Sequence, residues 1–263
     1  MYATLIAVAA LWGLAAGLFL PRAAYRLAVE PDEAWRDSCP AGHPYAGLAR
    51  GWIGGARCAA CATAVPAVPA RTADSPAPER PAVPVSYLVP LVTALSCTAL
   101  AAATGPRPEL AVWLLLAPFA VLLALVDRRV HRLPDQLTLP LAGAAAVLLG
   151  LAELLPGDGG SWLTGLLGGL VLGAGYFVLF LIRPSGLGFG DVKLALSLGV
   201  VLGWYGWSVL FAGAFTGFLL GSLYGLGLMA LRRAGRRTAI PFGPFMIGGA
   251  LAGVLLGALA AAV

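Results

Sequence analysis

Apolar residues run along this chain in long blocks, broken by short stretches of charge, proline or glycine. A helix needs roughly 20 consecutive apolar residues to cross a bilayer. By that measure the pattern predicts spans over 2–20, 86–104, 109–126, 137–155, 162–182, 191–204, 206–231 and 242–262. The sixth is short and the seventh long, and their boundary falls at Gly203-Trp204-Tyr205-Gly206. The expected architecture is therefore all-α: a polytopic membrane helix bundle of about eight transmembrane helices, or seven if that boundary is not a break. Glycines recur within two of these blocks, at Gly165, Gly168, Gly169, Gly173 and Gly175, and at Gly213, Gly217, Gly221 and Gly225. Small residues at such spacing let helices pack closely in lipid.

The polar stretches divide the chain into three parts: a first span (1–20), a polar segment (21–85) and a membrane-embedded unit (86–263). The first block, Tyr2 to Leu20, has no basic residue ahead of it and no evident small-residue cleavage site; Arg22 and Arg26 follow it. It reads as a retained span rather than a signal peptide. Within the polar segment, 64–85 is rich in proline and alanine and reads as an extended, poorly ordered linker.

Composition supports a bilayer setting. Apolar residues make up 60% of the chain and charged residues only 11%, against roughly 25% charged in soluble domains. The net charge of +5 is then a matter of topology and not of nucleic-acid binding. With the N-terminus outside, the loops 21–85, 127–136, 183–190 and 232–241 face the cytoplasm. They hold sixteen of the 17 Lys and Arg residues, counting Lys193 at its helix start, and only Arg107 falls outside. That bias obeys the positive-inside rule.

Against this background two acids stand out. Asp127 ends one apolar block and Asp191 begins another, in Gly188-Phe189-Gly190-Asp191. Ionisable groups near membrane depth are costly and commonly mark chemistry or transport. Two such carboxylates sharing a proton can activate water. Each also has a plainer reading. Asp191 fits a helix N-cap, and its glycine-rich approach is only a weak match to a phosphate loop, since no strand precedes it. Asp127 begins the run Asp127-Arg128-Arg129-Val130-His131-Arg132 and fits an ion pair at the interface. Asp135, after Pro134, reads as the cap of the next helix, and His131 as a polar residue at headgroup level. Neither a Ser-His dyad nor an HExxH zinc-protease motif is apparent.

Cys97 lies inside an apolar block and reads as a small buried group. Cys39, His43, Cys58 and Cys61 share the polar segment. Cys58-x2-Cys61 suits one half of a tetrahedral zinc site; the alternative is a set of reduced thiols beside a surface histidine.

The stretches DRRVHRLPDQLTLPL (127–141) and GLGFGDVKLALSLG (186–199) together resemble the two active-site signatures of the type IV prepilin peptidases, polytopic aspartic proteases of the GxGD class. IPFGPFMIGGALAG (240–253) is similar to the final-span motif of that family, and GLFLPRAAYRL (17–27) to its first loop. The resemblance covers 109–263 and, more loosely, 10–61. It implies that Asp127 and Asp191 are the catalytic pair, with Gly188 and Gly190 as the GxGD glycines and Lys193 as the following lysine, placed to bias Asp191 or to hold a headgroup. One ionised aspartate would take a proton from water while the other, protonated, hydrogen-bonds the scissile carbonyl. The implied function is removal of a short basic leader from type IV pilin-like (prepilin or pseudopilin) precursors at the cytoplasmic face, with no cofactor for proteolysis. The family often has two C-x2-C pairs in its first loop. Here Gly42 stands where one cysteine is expected and His43 follows, which leaves a Cys3His set. Many members also methylate the new N-terminus with S-adenosylmethionine, and the altered segment leaves that activity open. Two other readings of the acids are a proton-coupled transporter and a non-catalytic pilus or secretion assembly factor.

Overall fold

The computed structural model describes residues 2–30, 33–55, 58, 60–61, 87–184, 186–233 and 240–262. The linker expected over 64–85 lies outside the described residues. Among those described are eight helices of fifteen residues or more: α1 (Tyr2–Leu27), α2 (Leu88–Thr104), α3 (Glu109–Val130), α4 (Asp135–Glu153), α5 (Trp162–Ile182), α6 (Phe189–Gly203), α7 (Trp207–Ala230) and α8 (Gly243–Ala260). Six are long and apolar enough to cross a bilayer; α2 is apolar but shorter, and α6 has fifteen residues. The chain is thus a polytopic helical bundle. The boundary between α6 and α7 falls where the pattern placed it, at Gly206, whose φ of 99° turns the chain before Trp207.

Residues that face outward are those a bilayer would take. Leu163, Leu170 and Val178 on α5 and Phe211, Phe215 and Leu223 on α7 are all exposed. Inside, Leu123, Leu149, Leu194, Leu202 and Leu210 are almost fully buried, and Cys97 is enclosed as expected. The tightest helix pair is α5 with α6. A methyl group at Gly199 would come within 2.5 Å of the Gly168 carbonyl oxygen. Gly165, Gly168, Gly169 and Gly173 are all buried, whereas Gly175 faces open space. In the same way Gly213 and Gly217 of α7 meet Gly249 of α8. Without a hydrophobic drive between helices in lipid, such backbone contact supplies the packing.

The first helix continues beyond the apolar block that ends at residue 20. It runs through Pro21 to Leu27, with Arg22 and Arg26 buried. The polar segment folds onto them. Arg22 lies 4.3 Å from the Tyr45 ring centroid and Arg26 4.0 Å from that of Trp52. Arg26 also donates to the carbonyls of Arg36 (2.7 Å) and Arg50 (3.1 Å). Aromatic faces and carbonyls replace the water that these charges lose.

At the opposite end of the bundle a buried acid meets a half-buried arginine. Arg107 lies 3.5 Å from Glu109, whose side chain is fully enclosed. Arg107 also donates to the carbonyls of Thr104 and Ala258, at 2.7 and 2.5 Å. Tyr205 donates to Glu109 and accepts from Trp113. This knot joins the ends of α2, α3 and α8 to the α6–α7 turn.

Candidate active site

Asp127 lies in the last turn of α3, with 4% of its surface exposed. Its Oδ2 accepts the backbone N–H of Gly243 at 2.9 Å, from a residue 116 positions away. That N–H opens α8 just ahead of Pro244 and has no partner within its own helix. The positive end of the helix also favours a carboxylate there. A methyl group at position 243 would sit 2.8 Å from the same oxygen, so the approach requires glycine. Among the described residues no arginine forms an ion pair with Asp127, contrary to the plainer reading. His131 ends α3 in the left-handed conformation and donates its backbone N–H to the Asp127 carbonyl at 2.8 Å.

Asp191 lies in the first turn of α6 and is also buried. It is not the N-cap. Gly188 takes that place in extended backbone (φ −76°, ψ 149°), and Asp191 is the third helical residue. Its Oδ2 reaches back to the Gly188 N–H at 2.9 Å, one half of a capping box. Gly190 lies under the α3–α4 loop, where a methyl group would meet the Leu133 Cβ at 3.0 Å. Asp127 lies close enough for its charge to act on the Asp191 carboxyl. Asp191 also acts on buried Tyr176 of α5. The Tyr176 ring packs against Phe218 and Phe242, at 5.3 and 6.3 Å between centroids. Phe242 directly precedes the glycine that holds Asp127. The site is therefore walled by α3, α5, α6 and α8.

Lys193 turns away from Asp191, because side chains two apart on a helix do not face each other. It pairs instead with Asp135 at 2.6 Å and lies 4.8 Å from the Phe189 ring centroid. Asp135 is the first residue of α4 and not its cap, which is Pro134. Lacking a capping role, its carboxylate is free for the lysine.

Cys39, His43, Cys58 and Cys61 come together, their ligand atoms all within 4.8 Å of one another. The Cys39 sulfur lies 3.7 Å from that of Cys61 and 3.6 Å from His43 Nδ1, which is 3.2 Å from the Cys61 sulfur. Zn–S bonds of about 2.3 Å in a tetrahedron put neighbouring sulfurs roughly 3.8 Å apart. The spacing fits a Cys3His site able to hold a metal ion. Gly42, where the cysteine is missing, makes the tight turn (φ 82°) that presents His43, and its N–H donates to the Cys39 carbonyl at 2.8 Å. Burial disfavours the Cys39 thiolate, but hydrogen bonds from the His43 and Ala41 backbone and from the His43 and Cys61 side chains outweigh it and bring the thiol to about 6. Desolvation and the two neighbouring thiols push Cys61 up to about 11.

The pattern of residues gave no role to Gly243 or Tyr176. The signal for the first was present in Pro241-Phe242-Gly243-Pro244, a glycine at a helix start where a close approach needs no side chain.

A type IV leader peptidase family model matches residues 114–230, a stretch that holds both aspartates. Three relatives called prepilin leader peptidase/N-methyltransferase are similar to the chain. The protein from Aeromonas salmonicida (strain A449) is 35% identical over 169 residues, covering 60% of this chain and 54% of that protein. The one from Pseudomonas aeruginosa PAO1 is 33% identical over 162 residues, with the same coverage. The one from Bacillus subtilis (strain 168) is 30% identical over 182 residues, covering 66% of this chain and 68% of that protein. The chain thus spans about half the length of the first two. No solved structure matches it. With two buried aspartates inside the matched stretch and similarity over two thirds of the Bacillus protein, this chain belongs to the type IV leader peptidase family.

Proposed function

We propose that this chain is a membrane aspartic endopeptidase that removes the leader from type IV pilin-like precursors at the cytoplasmic face of the inner or plasma membrane. One observation carries the reading: two buried aspartates from helices far apart in sequence interact, each held through one oxygen by a fixed backbone N–H. The remaining oxygens are left to water and substrate. One aspartate, ionised, takes a proton from water as it attacks the scissile carbonyl. The other, protonated, hydrogen-bonds that carbonyl and then supplies the leaving amine. The backbone donors hold both acids in place while the protons move, and no covalent intermediate is needed.

The arginines of the first polar segment and of the α3–α4 loop set the orientation, with the N-terminus outside and Asp127 and Asp191 near the inner leaflet. There the enzyme would meet a precursor where its polar leader joins its apolar helix. Zinc at Cys39, His43, Cys58 and Cys61 would fix the fold of the polar segment and take no part in hydrolysis.

The test is co-expression with a pilin-like precursor. Asp127→Asn and Asp191→Asn each leave the leader attached, while the parent chain removes it. Normal processing by either variant refutes the assignment. Labelled S-adenosylmethionine in the same reaction reads the other half of the relatives' name. Label in the processed product assigns methylation to this chain, and unlabelled product confines it to cleavage.

A further inference from the structure

A cavity of about 400 Å³ opens between the end of α1 and the α3–α4 loop. Its volume falls within the roughly 300–1,000 Å³ of ordinary ligand sites. Glu33 and Trp35 of the polar segment form one wall, Val126 of α3 another, and Arg132, Pro134 and Gln136 a third. Val126 is the residue before Asp127. The loop itself alternates. Arg132, Pro134 and Gln136 face the cavity, while Leu133 lies against Gly190 and Asp135 pairs with Lys193 on α6. One side of this loop thus touches the helix of the second aspartate, and the other side lines the cavity.

We infer that this cavity is the docking subsite for the leader, the polar stretch of substrate on the cytoplasmic side of the scissile bond. The inference rests on the peptidase reading above and adds where the substrate is held and by what chemistry. A peptide drawn across the carboxylates has one side in the bilayer and must lay the other on the protein surface. This cavity is lined by the residue before Asp127 and by the loop that covers Gly190, and it joins apolar walls to one acid and one base, a lining suited to an extended peptide. Arg132, closer along the chain to the aspartates, donates to peptide carbonyls near the cleaved bond. Glu33, on the far wall, takes a lysine or arginine further along the leader. Trp35 and Val126 cover the apolar stem of that side chain. Selectivity then follows from charge: a leader with a cation at that distance docks, and one with an acid there is repelled.

The full chain in membranes is tested with two precursors, one with a basic residue in its leader and one with glutamate in its place. Glu33→Lys raises KM for the basic precursor on the order of tenfold, as for loss of one charge-assisted contact, and the acidic precursor restores it; the effect falls on KM and not on kcat. A benzoylphenylalanine photocrosslinker in place of Trp35, in an Asp127→Asn background that keeps the precursor whole, yields an adduct to the leader. An unchanged KM for both precursors, or an adduct confined to the apolar helix, overturns the docking site while cleavage by the parent chain stands. Failure of the parent chain to cut either precursor overturns the peptidase reading itself, and this inference with it.

Discussion

Gly243→Ala tests the arrangement that holds Asp127. A methyl group on that residue would lie 2.8 Å from the Asp127 Oδ2 and 3.2 Å from its carboxyl carbon, where ordinary contact begins at 3.4 Å. The carboxylate, or the start of α8, must retreat by about 0.6 Å, and the 2.9 Å hydrogen bond from the Gly243 N–H is stretched or lost. A hydrogen bond to a charged group contributes about 1.5–3 kcal/mol. In a rate this is roughly ten- to 150-fold, and a displacement approaching 1 Å at a reacting group can alone cost about 100-fold. The expected result is a fall in kcat of ten- to a hundredfold or so, with the protein still inserted. The matched control is Gly248→Ala in the same helix, where a methyl group meets nothing nearer than Leu220 at 3.7 Å. Leader removal is followed by the mobility shift of a precursor incubated with membranes of each variant. Wild-type cleavage by Gly243→Ala, or equal losses in both variants, would show that the backbone donor does not position Asp127.

Three other experiments separate site from scaffold. Lys193→Met breaks the pair with Asp135, which is 56% exposed, so the cost to stability is under about 1 kcal/mol. Cleavage falls less than in Gly243→Ala because Leu133 still covers Gly190, and complete loss with normal folding would mean that Lys193 touches substrate. Arg107→Met leaves Glu109 buried and unpaired, which costs about 3–5 kcal/mol. Thermal unfolding in detergent should show that loss, with much of it recovered when Glu109→Gln is added; a double variant as unstable as the single refutes the pairing. Purified protein should carry one zinc per chain by elemental analysis, diminished by Cys58→Ser and unaffected by Cys97→Ser. Metal binding requires deprotonated thiols. Zinc occupancy should therefore fall as the solution is acidified, and zinc retained at about pH 4 would count against these ligands.

The bundle was legible because bilayer thickness imposes one length on every span, and six helices meet it outright. Asp127 and Asp191 were legible because an acid beside an apolar block is costly. The capping of Asp191 was misread by three positions. Glycines at 188 and 190 both permit a helix start, and only the finished hydrogen bond shows that Gly188 is used. The continuation of α1 beyond residue 20 was not legible because the partners that enclose Arg22 and Arg26, Tyr45 and Trp52, lie in the polar segment. Gly243 escaped because its partner lies 116 residues away, beyond any local pattern. The ligand set survived its broken motif because His43 reaches the sulfurs from the tight turn that Gly42 makes possible.

Both acids are steadied by main chain, through Gly188 and Gly243. Point mutation cannot delete an amide hydrogen except by introducing proline. A random screen for inactive variants should therefore find few polar residues around the carboxylates and many bulky replacements at glycine. Tolerance maps of this membrane protein would then show its chemistry as positions that reject size rather than positions that demand a functional group.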